Sequence, residues 1–396
     1  MVTRTRNRIT FSPRRAALRF VGAAALLALA ACNPTSVGGL SGQSVNPNKT
    51  VQIALLVPNG SGRESDALLA RNLENAARLA IADQTNAKID LRVYDTAGTP
   101  QQASNAAIAA VNDGAKIILG PLYAEAANAA AVAIAGTNTN VLAFSNNASI
   151  AGGNLFILGP TFENTANRLV NYGRQIGKTK ILIAHAEELA GQVGRDAIIS
   201  AANRNGATIT GVESYPFSQD GINNAARRIS ATVKETGADT LFVTAGPESD
   251  LPFLMTALPE RGLGMDIQLM GLTRWSSQPQ SLALPGLQGG VFTLPDQALE
   301  RNFAARYQAE YSERPHPIAG LSYDGIAAIG ALLAQGRSDA LTSPSLTRQS
   351  GFVGTQGIFR LLPDGTNERG LAVAKIENNQ VAILDPAPKN FSGAGF

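Results

Sequence analysis

Short apolar runs alternate with longer stretches of helical spacing through most of this chain. Val51 to Val57 reads as a strand, closed by Pro58-Asn59-Gly60-Ser61-Gly62. Leu69, Leu73, Ala76, Ala77, Ala80 and Ile81 then recur at the spacing of a helix with one apolar face. Leu91 to Tyr94 is a strand. Thr99-Pro100-Gln101-Gln102 is a helix start: the hydroxyl can cap, proline suits the first helical position, and glutamine can close a capping box. Gly114 stops that helix. Ile117, Ile118 and Leu119 form a run of the kind buried on both faces of a sheet, ended by Gly120-Pro121. Ala124 to Ala135 is almost all alanine, so a helix there can lie close on a sheet. Val141 to Phe144 gives the next strand, followed by Ser145-Asn146-Asn147.

The alternation continues. Helices are predicted over 161–177, 194–205, 221–236, 296–312 and 320–335, and another opens at Gly246-Pro247-Glu248-Ser249. Strands are predicted over 180–184, 207–215, 239–244, 267–271 and 290–294. From Gly351 the pattern changes to short strands joined by Pro363-Asp364-Gly365 and Asn378-Asn379, which read as antiparallel hairpins. The fold class is therefore α/β, parallel in the main, with a small C-terminal antiparallel extension. Residues 50–390 exceed one typical domain, so two lobes are expected. Gly159-Pro160, Leu294-Pro295-Asp296 and the polar segment 335–350 look like crossings between them. That assigns 50–159 and 296–340 to an N-lobe, and 160–295 and 341–390 to a C-lobe. Three crossings would form a hinge on which the lobes close over a ligand; two crossings between independent domains is the other possibility.

The first residues read differently. Six arginines and no acid precede an apolar run from Phe20 to Ala31, too short to span a membrane. A basic flank, a short apolar core and small residues at its end make a secretory signal peptide over 1–31. Leu29-Ala30-Ala31-Cys32 resembles the bacterial lipobox, which implies lipidation at Cys32 and a membrane anchor on the periplasmic face of the envelope. Residues 32–49, rich in Gly, Ser, Pro and Asn, read as a flexible tether. Cleavage changes the charge: the whole chain carries 33 basic and 30 acidic residues, and losing the six leader arginines turns a net +3 into −3. The lone cysteine allows no internal disulfide. No basic cluster of the kind that tracks a phosphate backbone remains, so nucleic acid is disfavoured as a partner.

In an open parallel sheet, ligands meet the loops beyond the carboxyl ends of the strands. Gly120 to Tyr123 and Ser145 to Asn147 would then form one wall of a cleft, or else be two ordinary loops that cap helices. Ser61, Ser145, Asn146 and Asn147 supply neutral donors and acceptors. Helix N-termini behind Ser61, Pro121 and Pro247 would favour an anionic group such as a carboxylate. His185 ends a strand and faces the proposed cleft, as a ligand contact or a satisfied imidazole. Glu187 and Glu188 lie in the loop that follows. Trp275, the only tryptophan, could stack on a ligand or pack between loops. Tyr323 opens a late helix and is a candidate to reach the hinge. Neither histidine sits in a metal spacing, Gly60-Ser61-Gly62 lacks the third glycine of a dinucleotide fingerprint, and no P-loop or nucleophile elbow is present. No cofactor, metal or catalytic role is expected.

The ordered set of Pro58-Asn59-Gly60-Ser61-Gly62, Ile118-Leu119-Gly120-Pro121 and Leu142-Ala143-Phe144-Ser145-Asn146 resembles the type I periplasmic binding proteins of the leucine/isoleucine/valine-binding class. Within that class, GPLYAEAANAAA and VLAFSNNASIAG are most similar to lipoproteins related to penicillin-binding-protein activators. The resemblance implies a two-lobed fold, each lobe a parallel sheet flanked by helices, with a ligand cleft and no catalysis. Carried over, the N-lobe contacts are Ser61, Tyr123, Ser145, Asn146 and Asn147, and Glu248 is a candidate carboxylate for a ligand ammonium group. Two positions depart from the amino-acid binders. Tyr123 and Ala124 stand where a serine hydroxyl usually meets the ligand carboxylate, and Ala190 stands where a tyrosine precedes Gly191. The implied partners are a small polar or amino-acid-like ligand or cell-wall fragment, with a peptidoglycan synthase or an ABC permease. The implied function is support of peptidoglycan synthesis, or solute reception for an amino-acid or peptide-like ABC importer.

Overall fold

Two parallel sheets with the same strand order divide the protein. The computed structural model describes residues 41–264 and 266–392, together with Met1 and Thr3. Cys32, the apolar core of the leader and the tether up to Leu40 lie outside the described residues. In the first sheet β1 (Val51–Val57), β2 (Ile89–Asp95), β3 (Ile117–Leu119), β4 (Asn140–Ala143) and β5 (Leu155–Ile157) take the order β2-β1-β3-β4-β5. In the second, β6 (Lys180–Ala186), β7 (Thr208–Tyr215), β8 (Thr240–Val243), β9 (Gln268–Gly271) and β10 (Val291–Leu294) take the equivalent order β7-β6-β8-β9-β10. Late in the chain β11 (Phe352–Gly354), β12 (Gly357–Leu361) and β13 (Asn367–Arg369) form a small antiparallel sheet. β14 (Ala372–Glu377) and β15 (Gln380–Asp385) then extend the second sheet, antiparallel to β10. The architecture is the expected α/β, two-lobed one with an antiparallel C-terminal extension.

Side-chain alternation decides the layers. Ile53, Leu55 and Val57 face one core, while Ala54 and Leu56 face another. The first core is closed by α1 (Glu64–Ala82). The second is closed by α2 (Pro100–Asn112) and α3 (Ala124–Ala133). These two helices meet through buried alanines, Ala103, Ala107 and Ala110 on one and Ala127, Ala130 and Ala131 on the other. An alanine methyl is worth only about 0.8 kcal/mol of burial, so close approach rather than area holds this layer. Ser104 crosses the seam to donate to the Ala129 carbonyl at 3.1 Å. Thr99 caps α2 as its sequence suggests, its hydroxyl accepting from the Gln102 N–H.

The second sheet is sandwiched in the same way. α4 (Phe162–Gln175) and α5 (Leu189–Asn205) cover one face, and α6 (Gln219–Thr236) and α7 (Leu251–Glu260) the other. α7 begins later than expected. Gly246 to Asp250 is a turn held by the Asp250 carboxylate, which accepts from the Gly246 N–H at 2.8 Å and the Ser249 hydroxyl at 2.9 Å. The chain then returns to the first lobe as α8 (Gln297–Tyr311) and α9 (Ala319–Leu333), which complete the core over α1. Among the described residues no helix is long and apolar enough to cross a membrane.

Leu158 packs in the first core and Ala166 in the second, and Leu294 in the second before α8 joins the first, but the segment 335–350 is no crossing. Leu341, Leu346, Phe352, Phe359 and Leu361 are buried in the same core as β1 and α1. That core needs their apolar area, so the chain stays in the first lobe through the small sheet. It returns to the second only near Gly370, before β14. The C-lobe boundary at residue 341 is thus moved about thirty residues onward by the packing. The tether also ends sooner than expected. Val45 is buried and donates its N–H to the Ser338 carbonyl, and Gln43 bonds Thr139 and Lys116, so residues 41–48 are held against the first lobe.

Candidate ligand cleft

Both sheets have a topological switch point, between β1 and β3 in the first lobe and between β6 and β8 in the second. At the first, three loops converge. The Asp66 carboxylate, 1% exposed, accepts the Tyr123 hydroxyl at 2.6 Å on one oxygen. On the other oxygen it accepts Arg63 Nη2 at 2.6 Å and Nε at 3.0 Å. The Arg63 guanidinium also lies over the Tyr123 ring, 5.6 Å from its centroid. Gly98, after β2, completes the group with a positive φ of 65°; a Cβ there would sit 3.1 Å from the Tyr123 ring. Burial pushes the Asp66 carboxyl up, but hydrogen bonds from Tyr123, Ser61 and Arg63 more than offset it, and its pKa lies below the usual carboxylate range. Burial and the bond to Asp66 raise the Tyr123 phenol.

This arrangement has a pH signature. Asp66 is lowered in the folded state, so its stabilising contribution is full above the unfolded carboxylate range, about pH 4, and is lost as pH falls through the folded value. Asp66→Asn should therefore lose stability at pH 7 and show a shallower decline below pH 4 than the parent, read by urea unfolding at both pH values.

The other N-lobe candidates lie on the neighbouring loop. Phe144 donates its N–H to the Pro121 carbonyl at 2.9 Å, which ties the loop after β4 to the loop after β3. Ser145 is buried and its hydroxyl accepts from the Asn147 N–H at 3.1 Å. Asn146 and Asn147 are exposed, and Asn147 caps the Ser149 turn. Ser61, Tyr123, Ser145, Asn146 and Asn147 thus share one rim.

The second lobe is less uniform. His185 is buried, with Nδ1 against the Ala186 carbonyl at 2.8 Å, so it is a satisfied strand histidine. Glu187 is exposed and accepts from the Ser214 hydroxyl. Glu248 is exposed after β8 and accepts from Gln278 at 3.0 Å. One expected contact is excluded by position, and another is committed within the protein. Trp275 is 0% exposed; it packs on Phe292 and its ring fills the space above Gly271, so it stacks on no ligand. Tyr323 donates to Asp83 at 2.5 Å. Asp83 caps the C-terminus of α1, a 19-residue helix about 28 Å long whose other end carries Arg63. The Tyr323 hydroxyl is thus committed to Asp83, while the residue borders a cavity with Arg306, Gly354 and Thr355 beside the third crossing.

A cavity of about 290 Å³ lies beyond the carboxyl ends of β9 and β10. All three crossings border it: Pro160 to Phe162, Leu294-Pro295, and Gln356 with Ile358, Arg369 and Leu371. Thr165, Leu272, Thr273, Arg274 and Thr293 complete the wall. Arg274 extends from it to Glu300 on α8, with Nη1 and Nη2 at 3.0 and 3.3 Å from the two carboxylate oxygens. That pair joins the lobes outside the crossings. The sequence reading passed over Arg63, Asp66, Arg274 and Arg369; an Arg and Asp three apart at a helix start was the one available signal. Among the described residues no group of three or more His, Cys, Asp or Glu side chains is placed to hold a metal ion.

A family model described as "Periplasmic binding protein" matches residues 50–380. The chain belongs to the periplasmic binding protein family. Its fold is the type I fold of the leucine-binding class, and membership implies an extracytoplasmic place. The protein is similar to the crystal structure of a putative branched-chain amino acid ABC transporter from Rhodospirillum rubrum, at 17% identity and a TM-score of 0.70, over 85% of this chain and 100% of that one. It is also similar to an ABC-transporter solute binding protein from Rhodopseudomonas palustris BisB5 in complex with 3,4-dihydroxy benzoic acid, at 20% identity and a TM-score of 0.54, over 86% and 98%. Among curated proteins it resembles the uncharacterized protein RP748 of Rickettsia prowazekii, 24% identical over 217 residues, 54% of this chain. The chain spans 56% of the length of that relative. At these identities the likeness to solved structures is one of fold.

Proposed function

We propose that this chain is a solute receptor of the cell envelope, lipid-anchored through Cys32, that delivers a small carboxylate-bearing ligand to an ABC permease. The observation that carries this reading is the 290 Å³ cavity bordered by all three crossings, because a guest there touches every segment that must bend when the lobes move. The Rhodopseudomonas neighbour in complex with a benzoic acid is in keeping with such a guest. In this reading the chain acts by binding alone. The test is mass spectrometry of the natively purified protein for a retained small molecule, followed by calorimetry with that molecule. A single saturable site supports the reading; an empty cleft that takes no solute in calorimetry counts against it.

A second reading keeps the sequence motifs as its support: Gly120-Pro121-Leu122 before an alanine-rich helix and Phe144-Ser145-Asn146 after the next strand. These are the features shared with penicillin-binding-protein activators. That reading expects a purified peptidoglycan synthase to be stimulated by the protein without added solute.

A further inference from the structure

The chemistry of the cavity wall is one-sided. Two arginines border it, Arg274 and Arg369, and no Asp or Glu does. The acids nearest to them are already committed: Glu300 forks onto Arg274, and Asp324 faces Arg369 at 3.9 Å. Glu163, in the first turn of α4, is the remaining acid close by in sequence and does not border the cavity. The N-terminus of α4 contributes Thr161, Phe162 and Thr165 to the wall, and the N-terminal end of a 14-residue helix favours negative charge. Thr165 and Thr293, with hydroxyls 3.0 Å apart, add neutral donors. Leu272, Leu294, Ile358 and Leu371 give the wall its apolar part.

We propose that the cavity takes the carboxylate of an apolar acid that lacks an α-ammonium group, with Arg274 as the residue that selects it. This rests on the solute-receptor reading above. Arg274 has five N–H donors, and the fork to Glu300 uses two of them. The Nε edge is left for a second carboxylate in the side-on mode that guanidinium groups favour. A primary ammonium in the same place would meet a helix N-terminus and find no free carboxylate, since Glu300 and Asp324 are already engaged. Free α-amino acids are therefore rejected by charge, while the apolar wall accepts a branched or aromatic body.

The discriminating pair is 4-methyl-2-oxopentanoate and leucine, which differ in the amine, with phenylacetate as an aromatic probe. Calorimetry on the full chain should show both acids binding more tightly than leucine. Arg274→Gln should weaken the acids by about tenfold or more, the usual size of a lost charge-assisted bond. Glu300→Gln removes the link between the lobes but keeps the guanidinium, and should leave acid binding within about threefold; thermal midpoints of both variants check folding. Leucine binding more tightly than its oxo analogue would overturn the proposal while leaving the solute-receptor reading intact. Acids that bind but ignore Arg274→Gln would overturn the assignment of Arg274. No binding of any probe, with stimulation of a peptidoglycan synthase, would overturn both the proposal and the reading it rests on.

Discussion

Arg369→Met is expected to destabilise the protein by about 3–5 kcal/mol, the cost of leaving a buried charge without its partner. Arg369 is 4% exposed and Asp324 is 1% exposed. Around them the donors are closely placed: Thr355 gives its N–H to Asp324 at 2.6 Å, and Arg369 donates to the Leu158 carbonyl and lies over the Phe359 ring. Leu158 opens the first crossing, and Thr355 and Arg369 belong to the third, so the pair ties two hinge segments to α9. Burial pushes the Asp324 carboxyl up, against the pull of Arg369 and the Thr355 bonds. In the variant that opposing pull from Arg369 is gone and the carboxyl rises further. The penalty should therefore be largest near pH 7 and shrink as pH falls and Asp324 takes up a proton. Urea unfolding at pH 7 and pH 4.5 checks the sign. The double variant Arg369→Met with Asp324→Leu should recover most of the loss; if it is as unstable as the single one, the pair is not the cause.

Trp275→Ala should cost about 3–5 kcal/mol as well, for a different reason. The ring is fully buried against Phe292, and an added Cβ at Gly271 would lie 2.0 Å from it, which shows how closely the glycine backbone approaches. Truncation leaves a cavity with rigid β9 on one side. The measured change should be in the unfolding midpoint, with solute affinity little altered when the folded fraction is held high. A side chain that stacked on a ligand would give the reverse: lost affinity and an unchanged midpoint.

The contrast between these residues and the ones read from sequence has a physical basis. Strands such as Val51–Val57 and the one that begins at Lys180 were legible because a strand covered on both faces is apolar at nearly every position. Helix ends at Gly206 and Gly237 were legible because both adopt positive φ. β5 was missed: Leu155–Ile157 is three residues long, too short for a period to show. The third crossing was misplaced because residues 335–350 are polar in composition, while the residues that keep the chain in the first lobe, Leu341 and Leu346, are single positions inside that segment. In the cleft, the loop glycines and amides stood out by type, and Ser61, Tyr123 and Ser145 do share a rim. The charged residues did not stand out, since Arg63 and Arg274 look like any solvated arginine until folding brings Asp66 and Glu300 to them. Trp275 and Tyr323 were chosen for being aromatic, a property that serves a core as well as a ligand.

The core over α1 is assembled from both ends of the chain: Leu55 and Leu73 are enclosed by Ile326, Ile329, Leu341 and Phe359. A polypeptide emerging from the ribosome could not finish its first lobe until some 300 residues later, when these partners appear. Up to then an oily surface stays open to any neighbour. A chain broken off after Leu294 should fail as a whole rather than leave a sound first lobe behind, and a cell making it would need something to shield that surface until the last third arrives.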